Sequence, residues 1–218
     1  MTTATPDVIS GLTWAISAGV ICIALIAIGV AVQRRLLGIL VDSRNKMSLS
    51  RLQVILWTIL FVSAFFAIAI KKGTMNIYLG PELWALMGIA TGSAAGSSII
   101  KGTKAAQEPA PRLGIIATPR IGVLSKASRP RFSDMFKGEE VTDSDYVDVS
   151  KLQMFFFTIA ALLGYVMVLS GYHLDTIATG ISGYDAYFPP MSNGLVTLVG
   201  ISHAGYLTVK AAPHTPTT

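Results

Sequence analysis

From Leu12 to Val32 the chain carries no charged side chain, and four more apolar runs follow, roughly Leu52–Ile70, Leu83–Ile100, Leu152–Leu169 and Leu195–Val209. Crossing the ~30 Å hydrocarbon core of a bilayer takes about 20 apolar helical residues, or about 17 where the bilayer is thin. A backbone in lipid must satisfy its own polar groups, so such runs have to be helices. The pattern predicts an all-α integral membrane protein with five transmembrane helices. Composition agrees: 13% of residues are charged and 52% hydrophobic, whereas a soluble domain is about 25% charged.

The first run is expected to stay in the protein as a helix. Residues 1–10 contain no basic residue, and no convincing small-x-small cleavage site follows the run before Gln33, Arg34 and Arg35. Of the 17 lysines and arginines, all but Lys71 and Lys72 fall on one side of the predicted helices. The positive-inside rule makes that side cytoplasmic, with the N-terminus outside and the C-terminus inside. The expected location is a bacterial inner membrane. This distribution accounts for the net charge of +5 without nucleic acid as a partner. Cys22 is the only cysteine, which excludes a disulfide within the chain and a cysteine metal cluster.

One phrase is written twice, as Ser50–Thr58 (SRLQVILWT) and Ser150–Thr158 (SKLQMFFFT). Each opens an apolar run that returns through a proline-led segment, Pro81–Gly102 or Pro190–Ala211. Both return segments contain Leu-x-Gly-Ile (Leu86–Ile89, Leu198–Ile201) and reach a lysine near their ends (Lys101, Lys210). Both hairpins start on the same side, so they read as parallel repeats about an axis near the membrane normal. The expected organisation is an N-terminal helix with a basic inner linker (1–46), a first hairpin (47–102), a cytoplasmic loop (103–146), a second hairpin (147–211) and a tail (212–218). The two hairpins would form a four-helix bundle with the first helix outside it.

Ser50-x-x-Gln53 and Ser150-x-x-Gln153 match a capping box, in which the serine accepts from the third backbone N–H and the glutamine reaches back to the cap. Arg51 and Lys151 lie at the positive end of a helix dipole, where lipid phosphate or orientation would compensate them, as for Arg34 and Arg35. Gly88, Gly92 and Gly96 form a small-residue stripe echoed by Gly200 and Ala204, suited to close helix packing within one chain or between subunits. His203, with Thr91, is the candidate intramembrane polar site. The alternative for His203 is a neutral imidazole bonded to a neighbouring hydroxyl.

Gly96–Thr103 has glycine and lysine in the wrong order for a phosphate-binding loop. Glu139–Asp148 lacks calcium-loop spacing, and a solvated acidic turn is expected there. No paired carboxylates, nucleophile–base pair or metal-ligand spacing points to catalysis, a metal or a cofactor. The repeated helix start, the proline-led helix with its terminal lysine, and Phe132–Phe136 followed by Gly138 and Glu139 together resemble a broad set of uncharacterised bacterial multi-pass membrane proteins. The resemblance covers Met47 to Ala211 and implies a topology but no activity. The expectation is a non-enzymatic anchor or scaffold, a homo-oligomer whose 102–149 loop docks a cytoplasmic protein. The alternative is an oligomeric channel or pore.

Overall fold

A computed structural model describes residues 11–106, 129–140, 143–171 and 186–212. Five helices dominate: α1 (Gly11–Gln33), α2 (Leu49–Lys72), α3 (Pro81–Ala106), α4 (Val149–Ser170) and α5 (Asn193–Ala211). Four of them, α1 to α4, are long and apolar enough to cross a membrane. The shorter α5, which includes Thr197, Ser202, His203 and Thr208, is not among them.

The helix ends follow local chemistry. α2 stops at Gly73, whose left-handed φ of 66° lets its N–H reach the Ala69 carbonyl. Lys71 and Lys72 sit in the last turn, where the dipole favours cations. α3 opens on Pro81, whose missing N–H costs nothing at a helix start.

The capping reading is corrected. α2 is preceded by Ser48 in extended conformation and α4 by Asp148, two residues ahead of the serines assigned. Ser50 is already helical and buried, with its hydroxyl 3.3 Å from Tyr206 Oη. Gln53 donates across the interior to Thr158 Oγ1 (2.7 Å) and the Met154 carbonyl (3.3 Å). On α4 the Asp148 carboxylate accepts from the Ser150 and Lys151 N–H groups and from the Ser150 hydroxyl (2.5 Å), while Gln153 is exposed. A carboxylate outcompetes a hydroxyl for the orphan donors because it is charged. Asp148→Ala is therefore expected to cost about 1 kcal/mol in thermal unfolding, and Ser150→Ala clearly less. Equal losses would return the cap to Ser150.

The described helices contact one another as α2 with α1, α3 and α4, and α5 with α3 and α4. α1 packs on α2, with Trp14 Nε1 donating to Ser63 Oγ (2.9 Å), and turns at Gly38, where an added Cβ would lie 2.6 Å from the Gly29 carbonyl. Much of its surface is apolar and exposed, as expected of a helix facing lipid. Inside, Trp57 stacks on Phe61, with Tyr165 and Phe188 edge-on to Phe61. At the end opposite Lys101 and Lys210, Ile77–Tyr78 and Ala186–Tyr187 pair in parallel, Tyr78 opposite Tyr187. Each pair lies just ahead of a proline, Pro81 or Pro190.

That pairing corrects the register read from Leu-x-Gly-Ile. Leu86 is buried and Leu198 exposed, so that motif sits on different faces. The register that joins Pro81 with Pro190 and Lys101 with Lys210 instead matches Ala90 with Val199, Ser93 with Ser202 and Ser97 with Tyr206, all buried. Of the small-residue stripe, Gly96 lies under Leu207, where an added Cβ would come within 3.3 Å of it, and Gly200 faces Ile89, where an added Cβ would lie 3.4 Å away. Among the described residues nothing packs against Gly88 or Gly92, and Ala204 is exposed. The buried face of α3 is Leu83, Leu86, Ala90, Ser93, Ser97 and Lys104.

Candidate functional site

At the end where Lys101 and Lys210 lie, the segments leading into α2 and α4 are built from the same parts. Each has a short 3-10 turn (Gly38–Leu40 or Phe132–Phe136), then an isolated antiparallel bridge, Val41 with Met47 or Lys137 with Val147. Each then enters its helix. The basic residue of the repeated phrase closes that lead-in. Arg51 donates to the Val41 carbonyl (2.8 Å) and Lys151 Nζ to the Lys137 carbonyl (2.6 Å), both carbonyls of bridge residues. Lys151 is buried, which removes it from the lipid-facing assignment. Arg34 is exposed, and Arg35 donates to Asn45 Oδ1 (2.6 Å).

Each lead-in also supplies an acid to a lysine at the end of the returning helix. Asp42 accepts from Lys101 (3.2 Å) and Arg44 (3.0 Å). Glu139 pairs with Lys210, with Lys151 and Arg44 (both 3.3 Å), and more distantly with Lys101 (3.7 Å). Beside them Glu140, buried, takes Lys104 at 2.6 Å, and that lysine also donates to the Ala212 carbonyl (2.8 Å). The expected solvated acidic turn is thus corrected for Glu139 and Glu140. Cations at the helix ends draw these carboxylates inward, because a charge removed from water must be paired.

Burial alone would raise the Glu139 carboxyl; Lys210, Lys151, Lys101 and Arg44 outweigh it and hold it well below the usual carboxylate range. Asp42 behaves similarly: burial pushes it up, and Arg44 and Lys101 bring it below its ordinary value. The cluster of Arg44, Lys101, Lys151 and Lys210 still holds four cations against the two carboxylates Asp42 and Glu139. Tyr206 joins it to the interior, its hydroxyl lying 3.0 Å from both Lys210 Nζ and Ser97 Oγ.

One turn further in lies a polar layer. Gln53 Oε1, Trp57 Nε1, Ser93 Oγ, Ser202 Oγ and both His203 ring nitrogens are buried without a hydrogen-bond partner. The imidazole is therefore not bonded to a neighbouring hydroxyl. Thr91 is exposed on α3 and is not brought to His203. Among the described residues no three His, Cys, Asp or Glu side chains gather as a metal site.

Asp42, Arg44, Glu139, Lys101, Lys210 and Tyr206 are the residues that reading for catalytic motifs missed. The available signal was placement: Asp42 is the one acid between the first apolar run and the first repeated phrase, six of the chain's 12 acids lie in 131–148 ahead of the second, and each returning helix carries lysine near its end. Comparison with family models, curated proteins and solved structures gave no match to this chain.

Proposed function

We propose that this protein is a non-enzymatic membrane anchor or scaffold, with five membrane-crossing helices in two duplicated hairpins and a homo-oligomeric state. Its charged end faces the cytoplasm of a bacterial cell, and residues 102–149 dock a protein partner there. The observation that carries the reading is the seating of residues 131–140 and 143–148. Glu139 and Glu140 clamp this stretch to the helix ends, Met135 is buried beneath it, and Phe132, Tyr146 and Val147 are left exposed. A loop held this rigidly presents apolar side chains without paying ordering entropy on binding. Gly88 and Gly92, which none of the described residues covers, support self-association through α3.

The polar layer around His203 favours the rival reading, a pore. A path along the interior would meet the Trp57, Phe61 and Phe188 cluster, so a conducting route would run between subunits. Gly92→Leu separates the two. The variant is expected to fold, because its side chain enters open space, and to run at reduced oligomer mass in mild detergent. Wild-type protein in planar bilayers is expected to carry no current. A wild-type conductance that Gly92→Leu abolishes would replace the scaffold with a pore, and an unchanged mass would remove α3 from the interface.

A further inference from the structure

The charge cluster opens sideways. Between α2 and α3 lies a cavity of about 630 Å3, lined at one end by Arg44, Arg51, Lys101 and Asp42 and along its floor by small residues of α3 that include Ala95 and Ser98. Arg51, Ala95 and Ser98 are exposed, so the cavity is a groove open to whatever surrounds the helices. We propose that it binds an anionic phospholipid, with the phosphate at the basic end and the glycerol and first methylenes along the α3 floor.

Three observations carry this assignment. First, the basic end carries surplus positive charge: Arg44, Arg51 and Lys101 line it against Asp42, and Glu139, which also reaches Arg44 and Lys101 from outside the lining, is shared with Lys151 and Lys210. Second, Arg44 Nη1 is buried without a hydrogen-bond partner on a side chain only 10% exposed. A buried guanidinium donor left unpaired is costly, and a phosphate oxygen is the acceptor that suits it. Third, the shape is amphipathic in the right direction. The charges lie where α3 leaves its apolar run at Lys101, at headgroup depth for a helix that crosses the bilayer, and the floor runs from there towards the apolar interior. A free phosphate would use only one end of a cavity this size.

The test uses the full chain in mild detergent, titrated with phosphatidylglycerol, phosphatidylcholine or glycerol 1-phosphate and followed by native mass spectrometry and melting temperature. Each nearby basic residue contributes about fivefold to affinity for an anionic lipid. Phosphatidylglycerol is therefore expected to bind at least about tenfold tighter than phosphatidylcholine, with glycerol 1-phosphate giving no comparable shift. Ser98→Trp fills the groove without removing a charge, and should abolish the preference while leaving the lipid-free melting temperature unchanged. If that variant does not fold, Ala95→Phe carries the same test. Arg51→Gln should weaken phosphatidylglycerol about fivefold and leave phosphatidylcholine unaffected. Equal binding of the two lipids, a preference that survives the filled groove, or glycerol 1-phosphate matching the lipid would each overturn the proposal. So would a Ser98→Cys, Cys22→Ser protein that forms a disulfide between copies, which places a second copy there. Thiol protection of that cysteine in lipid-free monomer would place another part of this chain there, and would overturn it equally.

Discussion

Glu139→Gln is expected to lower the stability of the detergent-solubilised protein by about 3 kcal/mol or more, the usual loss when one partner of a buried ion pair is removed. The amide keeps the size and an acceptor oxygen but not the charge, and Lys210, Lys151, Lys101 and Arg44 are then left facing one another. Lys210→Gln added to Glu139→Gln should recover part of the loss by removing one of those cations. The pH dependence has a definite sign. The folded carboxyl lies below its ordinary value, so the unfolded chain takes up the proton more readily. Its contribution is complete above about pH 4.3, the unfolded value, and is lost as pH falls through the folded one. Wild-type melting temperature should therefore drop in acid, and Glu139→Gln should flatten that part of the curve. Melting within a degree of wild type at neutral pH would mean that the cluster does not hold the segment down.

The second large effect is at Lys104 and Glu140. Glu140→Ala leaves a buried lysine without its counter-charge and should cost about 3 kcal/mol, whereas replacing both partners with methionine should cost much less. Recovery will be incomplete, because Lys104 also serves the Ala212 carbonyl. Protease cleavage between residues 129 and 148 should report the same order: fast in Glu140→Ala, slow in the double variant and slowest in wild type. A double variant cleaved as fast as the single would show that the pair's geometry, beyond its charge balance, seats the segment.

Some of this architecture is legible in the residues alone. The uncharged run from Leu12 to Val32 leaves no choice but a helix, and four runs of this kind became membrane-length helices because lipid penalises every unpaired backbone group. The prolines, the terminal lysines and the repeated phrase were visible as a pattern, though not their purpose. Ser50 and Ser150 looked alike and do different things. One meets Tyr206 across the interior and the other leans on Asp148, since α2 must also pack on α1 while α4 receives the turn Phe132–Phe136. Likewise Leu-x-Gly-Ile recurs in sequence but is buried differently in the two helices, because a face is defined by neighbours and not by spelling.

Length, hydropathy and charge bias are properties of the chain itself, so the helices and the bias of basic residues to one side could be read from the sequence. The charge cluster could not. Asp42, Glu139, Lys101 and Lys210 are far apart along the chain, and each alone looks like an ordinary residue at the edge of a membrane. Only when α2, α3, α4 and α5 come together do their ends share one small volume. There the cost of burying any single charge makes each depend on the others.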